Sequence, residues 1–295
     1  YLKVVKKGSD VPVELSGIFS RTKSKAKNLQ KKYKINYLCN DIDELYEKTK
    51  ADIVLVVVSV ESFKEIAIKV SKFPWKILTE KPFGMNLKEN LQLKEILGEK
   101  RKQFYIGFNR IFYDNSIFVK KLIKADKSQR ILNVYDQQDI SQFKKKKIKE
   151  NLMFSNSIHI FSLFNYLVRG RYKKINEILK IENKSKKYFL KKIVFSSGDI
   201  VFLHSIWNRP GPWKLDLSNS NYFFCFNPLE KLKYKDKNSK KYLDYPESID
   251  DINFKSGFKK QFNFFIKNFS KKNISNFDES TELMILINDY YFKKN

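Results

Sequence analysis

The sequence predicts an α/β fold in two parts: a doubly wound parallel sheet, then an α/β region with a large, open, mostly antiparallel sheet. Three observations carry this expectation. Between residues 13 and 107, short apolar runs alternate with Lys-rich helical stretches, the rhythm of βαβ units, whose crossovers force the strands to run parallel. Ile53-Val54-Leu55-Val56-Val57-Val58 is apolar on both faces and largely β-branched, as a strand covered by helices on each side must be. After Asp114 the runs lengthen and alternate apolar with polar residues, which marks strands with one covered face.

In the first part, strands are expected at Glu14 to Phe19, Ile35 to Leu38, Asp52 to Ser59, Lys76 to Thr79 and Phe104 to Phe108, with the Ile53 to Val58 run central. Helices are expected at Thr22 to Tyr33, Asp41 to Lys48, Glu61 to Lys72 and Leu87 to Gly98. Tyr1 to Lys7 reads as the end of a helix, which points to a missing N-terminus. A helix at Ser116 to Ala125 leads into strands at Ile131 to Asp139, Ile175 to Ile181, Phe189 to Ser196, Ile200 to Trp207 and Trp213 to Leu217. One helix, about Met153 to Val168, interrupts them, and two more close the chain at Gly257 to Asn268 and Glu279 to Phe292. The boundary falls near residue 125, which sets residues 1–125 apart from residues 126–295. The Lys runs at 144–149 and 182–192 are read as solvated loops and strand faces.

At 295 residues and 42% hydrophobic content, each part has enough apolar matter for its own core. The longest apolar run falls far short of the ~20 residues of a membrane-spanning helix, so a cytoplasmic protein with no membrane association is expected. A formal charge of +27 raises the possibility of nucleic acid as a partner, yet of 59 basic residues only seven are Arg. Base-edge readers favour the planar Arg fork, and no zinc knuckle or recognition-helix pattern accompanies the charge, so no nucleic-acid partner is expected. Cys39 and Cys225 lie far apart without metal-ligand neighbours and read as reduced core thiols. With His159 and His204 the only imidazoles, a multi-histidine metal site is excluded.

Chemistry-bearing residues gather at the carboxyl ends of the expected strands, the edge where open α/β sheets bind ligands. Gly17-Ile18-Phe19-Ser20-Arg21-Thr22 sits where a strand gives way to a helix. An acidic residue here would hold both ribose hydroxyls of NAD; Ser20, Arg21 and Thr22 instead offer donors that suit the extra phosphate of NADP, aided by the helix N-terminus. Glu80-Lys81-Pro82-Phe83-Gly84 delivers a charged pair to the same edge. In the second part, Ser155-Asn156-Ser157-Ile158-His159 lies on a helix, and His204 sits on an alternating strand and is read as exposed or half-buried.

The run Leu78-Thr79-Glu80-Lys81-Pro82-Phe83-Gly84 resembles the signature of the glucose-fructose oxidoreductase, inositol dehydrogenase and MocA (Gfo/Idh/MocA) family. The order of Gly17 to Thr22, Val56 to Ser59 and Gly107-Phe108-Asn109-Arg110 around it agrees. The resemblance implies a Rossmann-type domain, here missing its first strand and Gly-rich phosphate loop. It implies NAD or NADP as cofactor, NADP slightly favoured, held by Ser20, Arg21, Thr22, Ser59, Glu80 and Lys81. It also implies Lys81 and His159 as catalytic residues sharing the proton work, a cis Lys81-Pro82 peptide, and substrate contacts from Ser155, Asn156, Asn109 and Arg110.

The expected reaction is reversible hydride transfer between NAD(P) and a carbinol carbon of a sugar, sugar nucleotide or cyclitol, with a hint of surface-polysaccharide pathways and of a homo-oligomer built through the open sheet. The chain departs from the family at Ser155, where an Asp is usual, at Ser59-Val60-Glu61-Ser62, where Thr-Pro-Asn and a His are usual, and at Ile111, where a second Arg is frequent. These departures leave a rival expectation: a regulatory protein that binds dinucleotide or sugar without turnover.

Overall fold

A computed structural model describes residues 1–182, 187–271 and 274–293. The chain opens with α1 (Leu2–Lys7), β1 (Gly17–Phe19), α2 (Lys23–Tyr33), β2 (Tyr37–Cys39), α3 (Ile42–Thr49), β3 (Ile53–Val56), α4 (Val60–Val70), β4 (Lys76–Glu80), α5 (Leu87–Leu97) and β5 (Phe104–Gly107). It continues through α6 (Asp114–Ile123), β6 (Ile131–Gln138), α7 (Lys146–Glu150) and a π-turn at Met153–Ser157 that runs into α8 (Ile158–Leu167). Then come β7 (Tyr172–Glu182), β8 (Lys187–Phe195), β9 (Ile200–Trp207), β10 (Lys214–Ser218), β11 (Tyr222–Phe226), β12 (Leu232–Asp236) and β13 (Leu243–Tyr245). Helices α9 (Ile249–Asn253), α10 (Phe258–Asn268) and α11 (Phe277–Phe292) close it.

These elements form two units, Tyr1–Gly107 with Phe258–Thr281, and Phe108–Gly257 with Glu282–Asn295. The chain passes from one to the other three times, where the sequence suggested one boundary near residue 125.

In the first unit every strand pair is parallel, as βαβ crossovers require. The strands form two sheets, β1-β2 and β3-β4-β5. The expectation that Ile53 to Val58 is central is corrected here: β3 stops at Val56 and lies at the edge of its sheet. No described strand bonds its far side, so Ile53, Val54 and Leu55 are only half-buried, while Val57 and Val58 are 61% and 37% exposed. The centre belongs to β4, whose Ile77, Leu78 and Thr79 are buried. Asp41 and Asn86 cap α3 and α5, each side chain accepting the N–H three residues on.

The second unit is built on an eight-stranded sheet in the order β13-β12-β11-β10-β6-β9-β8-β7. All neighbours are antiparallel except β6 and β9 at its centre. Period-2 burial puts Leu132, Val134, Asp136 and Gln138 of β6, and Val201, Leu203, Ser205 and Trp207 of β9, on the inner face. Helices α8 and α11 supply the facing side chains: Phe161 meets Tyr290 at 5.6 Å between ring centres, and the Tyr290 hydroxyl donates to Leu203 O at 2.8 Å. On the opposite face His204 stacks on Tyr135 at 4.5 Å and bonds the Tyr188 hydroxyl at 2.8 Å; of the exposed and half-buried positions the sequence left open, it takes the half-buried one.

The Lys runs are not all solvated. Residues 146–149 lie in α7. On β8, Lys191 is only 5% exposed, 3.4 Å from Glu177 and over the Tyr290 ring at 5.5 Å; it is inward by register, and its charge is paired. The portion at 183–186 lies outside the described residues.

A buried polar cluster ties the second unit together at one end. Asp199, fully buried before β9, accepts from the Arg130 N–H at 3.0 Å, and from Arg169 through N (2.9 Å), Nε (3.0 Å) and Nη2 (2.6 Å). Burial alone would raise the Asp199 pKa, but the Arg169 and Arg130 hydrogen bonds hold it below the usual carboxylate value. Arg130 in turn donates to Leu167 O at 2.6 Å and Ile123 O at 2.5 Å, closing the ends of α8 and α6. Nearby, Lys120 donates to Tyr166 O, and its pKa is pulled down to about 8 by burial and by the Arg130 and Arg169 charges.

Two predictions follow from this cluster. Asp199→Ala strands buried guanidinium charge and is expected to cost about 3–5 kcal/mol in denaturant unfolding; a loss under 1 kcal/mol would show the cluster to be dispensable. Lys120 titrates near 8 when folded against 10.5 as the ordinary value, so between those pH values the unfolded state binds more protons and stability rises with pH. Below pH 8 both states are protonated and the penalty is fully present. Lys120→Met should flatten the wild-type rise measured from pH 8 toward 10; an unchanged slope refutes the assignment.

Candidate active site

In the first unit the residues expected to hold a cofactor lie beyond the carboxyl ends of parallel strands. Ser20, Arg21 and Thr22 follow β1, Ser59 precedes α4, and Glu80 and Lys81 end and follow β4. Ser20 Oγ accepts the Thr22 N–H at 3.3 Å, and Thr22, not Ser20, occupies the N-cap of α2 without capping it by its side chain. The first turn of α2 holds no acidic residue and opens on Lys23, with Arg21 exposed beside it. Uncapped N–H groups together with cations are a donor set for an anion such as a phosphate. Ser59 is the N-cap of α4, exposed, with its hydroxyl 3.2 Å from that of Ser62.

The loop after β4 is locked from behind. Lys81-Pro82 is cis. Phe83 is fully buried, edge-on to Phe63, Phe104 and Phe277 at 4.8, 4.9 and 4.7 Å. Asn90, also fully buried, donates to Phe83 O at 2.7 Å, and Glu89 accepts the Met85 N–H at 2.7 Å. Gly84 has φ +103°, and a Cβ there would lie 2.8 Å from Asn90 N. Glu80 and Lys81 are left half-buried at the strand end.

In the second unit Asn109 and Arg110 share a 3-10 turn, Asn109–Phe112, that packs on α8. Asn109 is buried and donates to Ser256 O at 3.0 Å, a structural bond. The Arg110 guanidinium lies 4.4 Å over the Trp213 ring; burial lowers its pKa, against the opposing pull of Tyr113, Glu230 and Asp136. Ser155 falls inside the π-turn and bonds Leu152 O at 3.4 Å, so its spacing to His159 in the first turn of α8 is not that of a regular α-helix. Asn156 donates to Gln138 Oε1 at 2.7 Å.

That last bond leads to residues the sequence reading missed. Asp136, Gln138, Ser157 and Tyr291 form a connected polar group behind Asn156. Burial raises the Asp136 pKa, against hydrogen bonds from its neighbours and the Arg110 charge. A signal existed: Asp136 and Gln138 continue the inward register of Leu132 and Val134, and polar residues on an apolar strand face mark a site. A cleft of about 450 Å3, with Phe189, Trp207 and Tyr291 among its lining residues, has its lysines Lys180, Lys187, Lys191 and Lys293 already paired with Glu182, Glu177 and Asp289.

Gly84→Ala forces an L side chain into positive φ against backbone and is expected to destabilise the protein by about 2 kcal/mol. Equal denaturation midpoints for variant and wild type would show that the loop relaxes freely.

Residues 1–108 match a family described as an oxidoreductase family with an NAD-binding Rossmann fold, GFO_IDH_MocA. No curated protein matches the chain. Among solved structures, a dehydrogenase from Chromobacterium violaceum is similar at a TM-score of 0.79 and 13% identity, over 98% of this chain and 89% of that one. UDP-N-acetylglucosamine 3-dehydrogenase GnnA from Acidithiobacillus ferrooxidans gives 0.72 and 13%, over 93% and 88%. Levoglucosan dehydrogenase, solved in complex with NADH and levoglucosan, gives 0.75 and 13%, over 98% and 90%. At such identities the structural likeness speaks to the fold. This family match covers residues 1–108, the parallel-sheet part of the chain.

Proposed function

We propose that this protein transfers a hydride between NAD(P) and a carbinol carbon of a sugar, sugar nucleotide or cyclitol. The observation that carries the reading is the Glu80-Lys81 pair, held at the end of β4 by the buried Phe83, Gly84 and Asn90 in a unit that matches an NAD-binding oxidoreductase family. The sugar dehydrogenases among the structural neighbours support the substrate class.

When bound, the nicotinamide supplies the hydride acceptor or donor. The residues of this chain do the rest. Ser20, Arg21, Thr22 and the N-terminus of α2 hold the adenosine end, and their donors and cations favour the additional phosphate of NADP. Ser59 and Glu80 orient the ribose beside the reacting ring. Lys81 exchanges the proton of the substrate hydroxyl while hydride moves, with His159 as second proton-handling group. Ser155, Asn156 and Arg110 orient substrate hydroxyls, and Asn109, bonded to Ser256 O, holds the turn that carries Arg110. The half-buried outer face of the large sheet is the homo-oligomer contact of this reading, and the two free thiols suit the reducing cytoplasm.

One observation favours a second reading, binding without turnover: a hydroxyl at Ser155 cannot stabilise an imidazolium as a carboxylate does. A single assay separates the two. Nicotinamide absorbance is followed with NADPH or NADP across a panel of keto-sugars and sugar alcohols. Lys81→Ala should lower turnover about 10²- to 10⁴-fold with its circular dichroism unchanged. Near-normal turnover in that variant removes Lys81 from the chemistry, and cofactor binding without any turnover by wild type favours the regulatory reading.

A further inference from the structure

Asp136 and Gln138 are 0% and 1% exposed, so every polar atom they carry must find its partner inside the protein. The partners form a chain with a direction. Both Asp136 oxygens accept: Oδ2 from the Tyr291 hydroxyl at 2.9 Å, and Oδ1 from Gln138 Nε2 at 2.6 Å. Gln138 Nε2 also donates to Ser157 Oγ at 3.0 Å. With both amide hydrogens committed, Gln138 has only Oε1 to offer its third neighbour. Asn156 therefore meets it with Nδ2, at 2.7 Å. Asn156 is half-buried, and its own Oδ1 accepts no hydrogen bond among the described residues.

We infer that Asp136, acting through Gln138, fixes the polarity of the Asn156 amide, so that Asn156 presents substrate with a hydrogen-bond acceptor and selects a hydroxyl group. Neither Asp136 nor Gln138 touches substrate; both are positioning residues. The inference rests on the reading of Asn156 as a substrate-binding residue. It goes beyond that reading in assigning the orientation of the amide and its origin. An Asn free to flip offers donor or acceptor at equal cost. With both Asp136 oxygens accepting, one from Tyr291 and one from Gln138, that freedom is removed.

The test is a double-mutant cycle on purified full-chain protein, with KM and kcat measured separately for the best sugar in the panel. Gln138→Met, which keeps volume and removes the amide, should raise KM about 10-fold with kcat within about twofold, the loss of one oriented hydrogen bond. In an Asn156→Ala background the same change should do nothing further. Ser205→Ala, which removes the 2.9 Å contact to Tyr291 in the same buried group, should leave KM at the wild-type value. An unchanged KM in Gln138→Met, or effects that add in the double variant, overturns the inference while leaving the proposed reaction standing.

If no sugar is turned over, the functional reading fails, and the wiring is decided by NMR. The side-chain NH2 signal that vanishes in Asn156→Ala should exchange slowly in wild type and much faster in Gln138→Met. Equal exchange rates in the two proteins reject the orientation.

Discussion

The second unit depends on how one buried carboxylate is satisfied. Asp199 is fully buried, so its two oxygens must be filled from within the protein, and the donors that fill them come from Arg130 before β6 and Arg169 after α8. That requirement brings together the starts of β6 and β9 and the end of α8. It also explains how two strands run parallel at the centre of an otherwise antiparallel sheet: both begin at the same carboxylate. At the other end of the β6–α8 pair, Gln138 bonds Asn156 and Ser157. A strand and a helix of opposite direction are thus clamped by polar groups at each end, with Leu132, Val134, Ile158 and Phe161 fully buried between. Apolar burial contributes most of the stabilisation, but it is non-directional. The two clamps fix the register, and register decides where Asn156 and His159 sit.

The first unit solves the same problem of placement differently. Its expected cofactor residues follow strand ends, and each is held by what lies behind it. The loop bearing Glu80 and Lys81 cannot drift because Phe83 is packed among three aromatic rings and Asn90 holds its carbonyl. Rigid support beneath a half-exposed charged pair is the arrangement that an oriented proton transfer needs.

Much of this was legible in the chain. The βαβ alternation, Glu80-Lys81-Pro82 at the end of a strand, and the span Ile200–Trp207 emerge in the structure where the pattern put them. What escaped has physical reasons. The centrality of Ile53 to Val58 was inferred from composition, whereas burial depends on neighbours, and β3 has a bonded partner on one side only. Strands β11, β12 and β13 are short, and Lys233 and Lys235 break β12 into a pattern a loop also shows. A π-turn differs from an α-turn by one residue per turn, which no periodicity over five residues resolves. Asp136 and Gln138 were inside a correctly placed strand, yet their inward register becomes meaningful only once α8 and α11 cover that face.

The discontinuity of the first unit reaches beyond geometry to time. Phe83, beneath the Glu80-Lys81 loop, packs against Phe277, and Ile106 of β5 bonds Asn276 through both N–H and C=O. These partners are made only after the whole intervening unit has left the ribosome, a wait of roughly ten to thirty seconds at ordinary synthesis rates. Throughout that interval the parallel strands lack part of their core, while the second unit, whose sheet is complete by Tyr245, waits longer still for Tyr290 and Tyr291 of α11. The N-terminal strands are then the part of the polypeptide that stands longest without its full core, and during synthesis they are the part most in need of a chaperone.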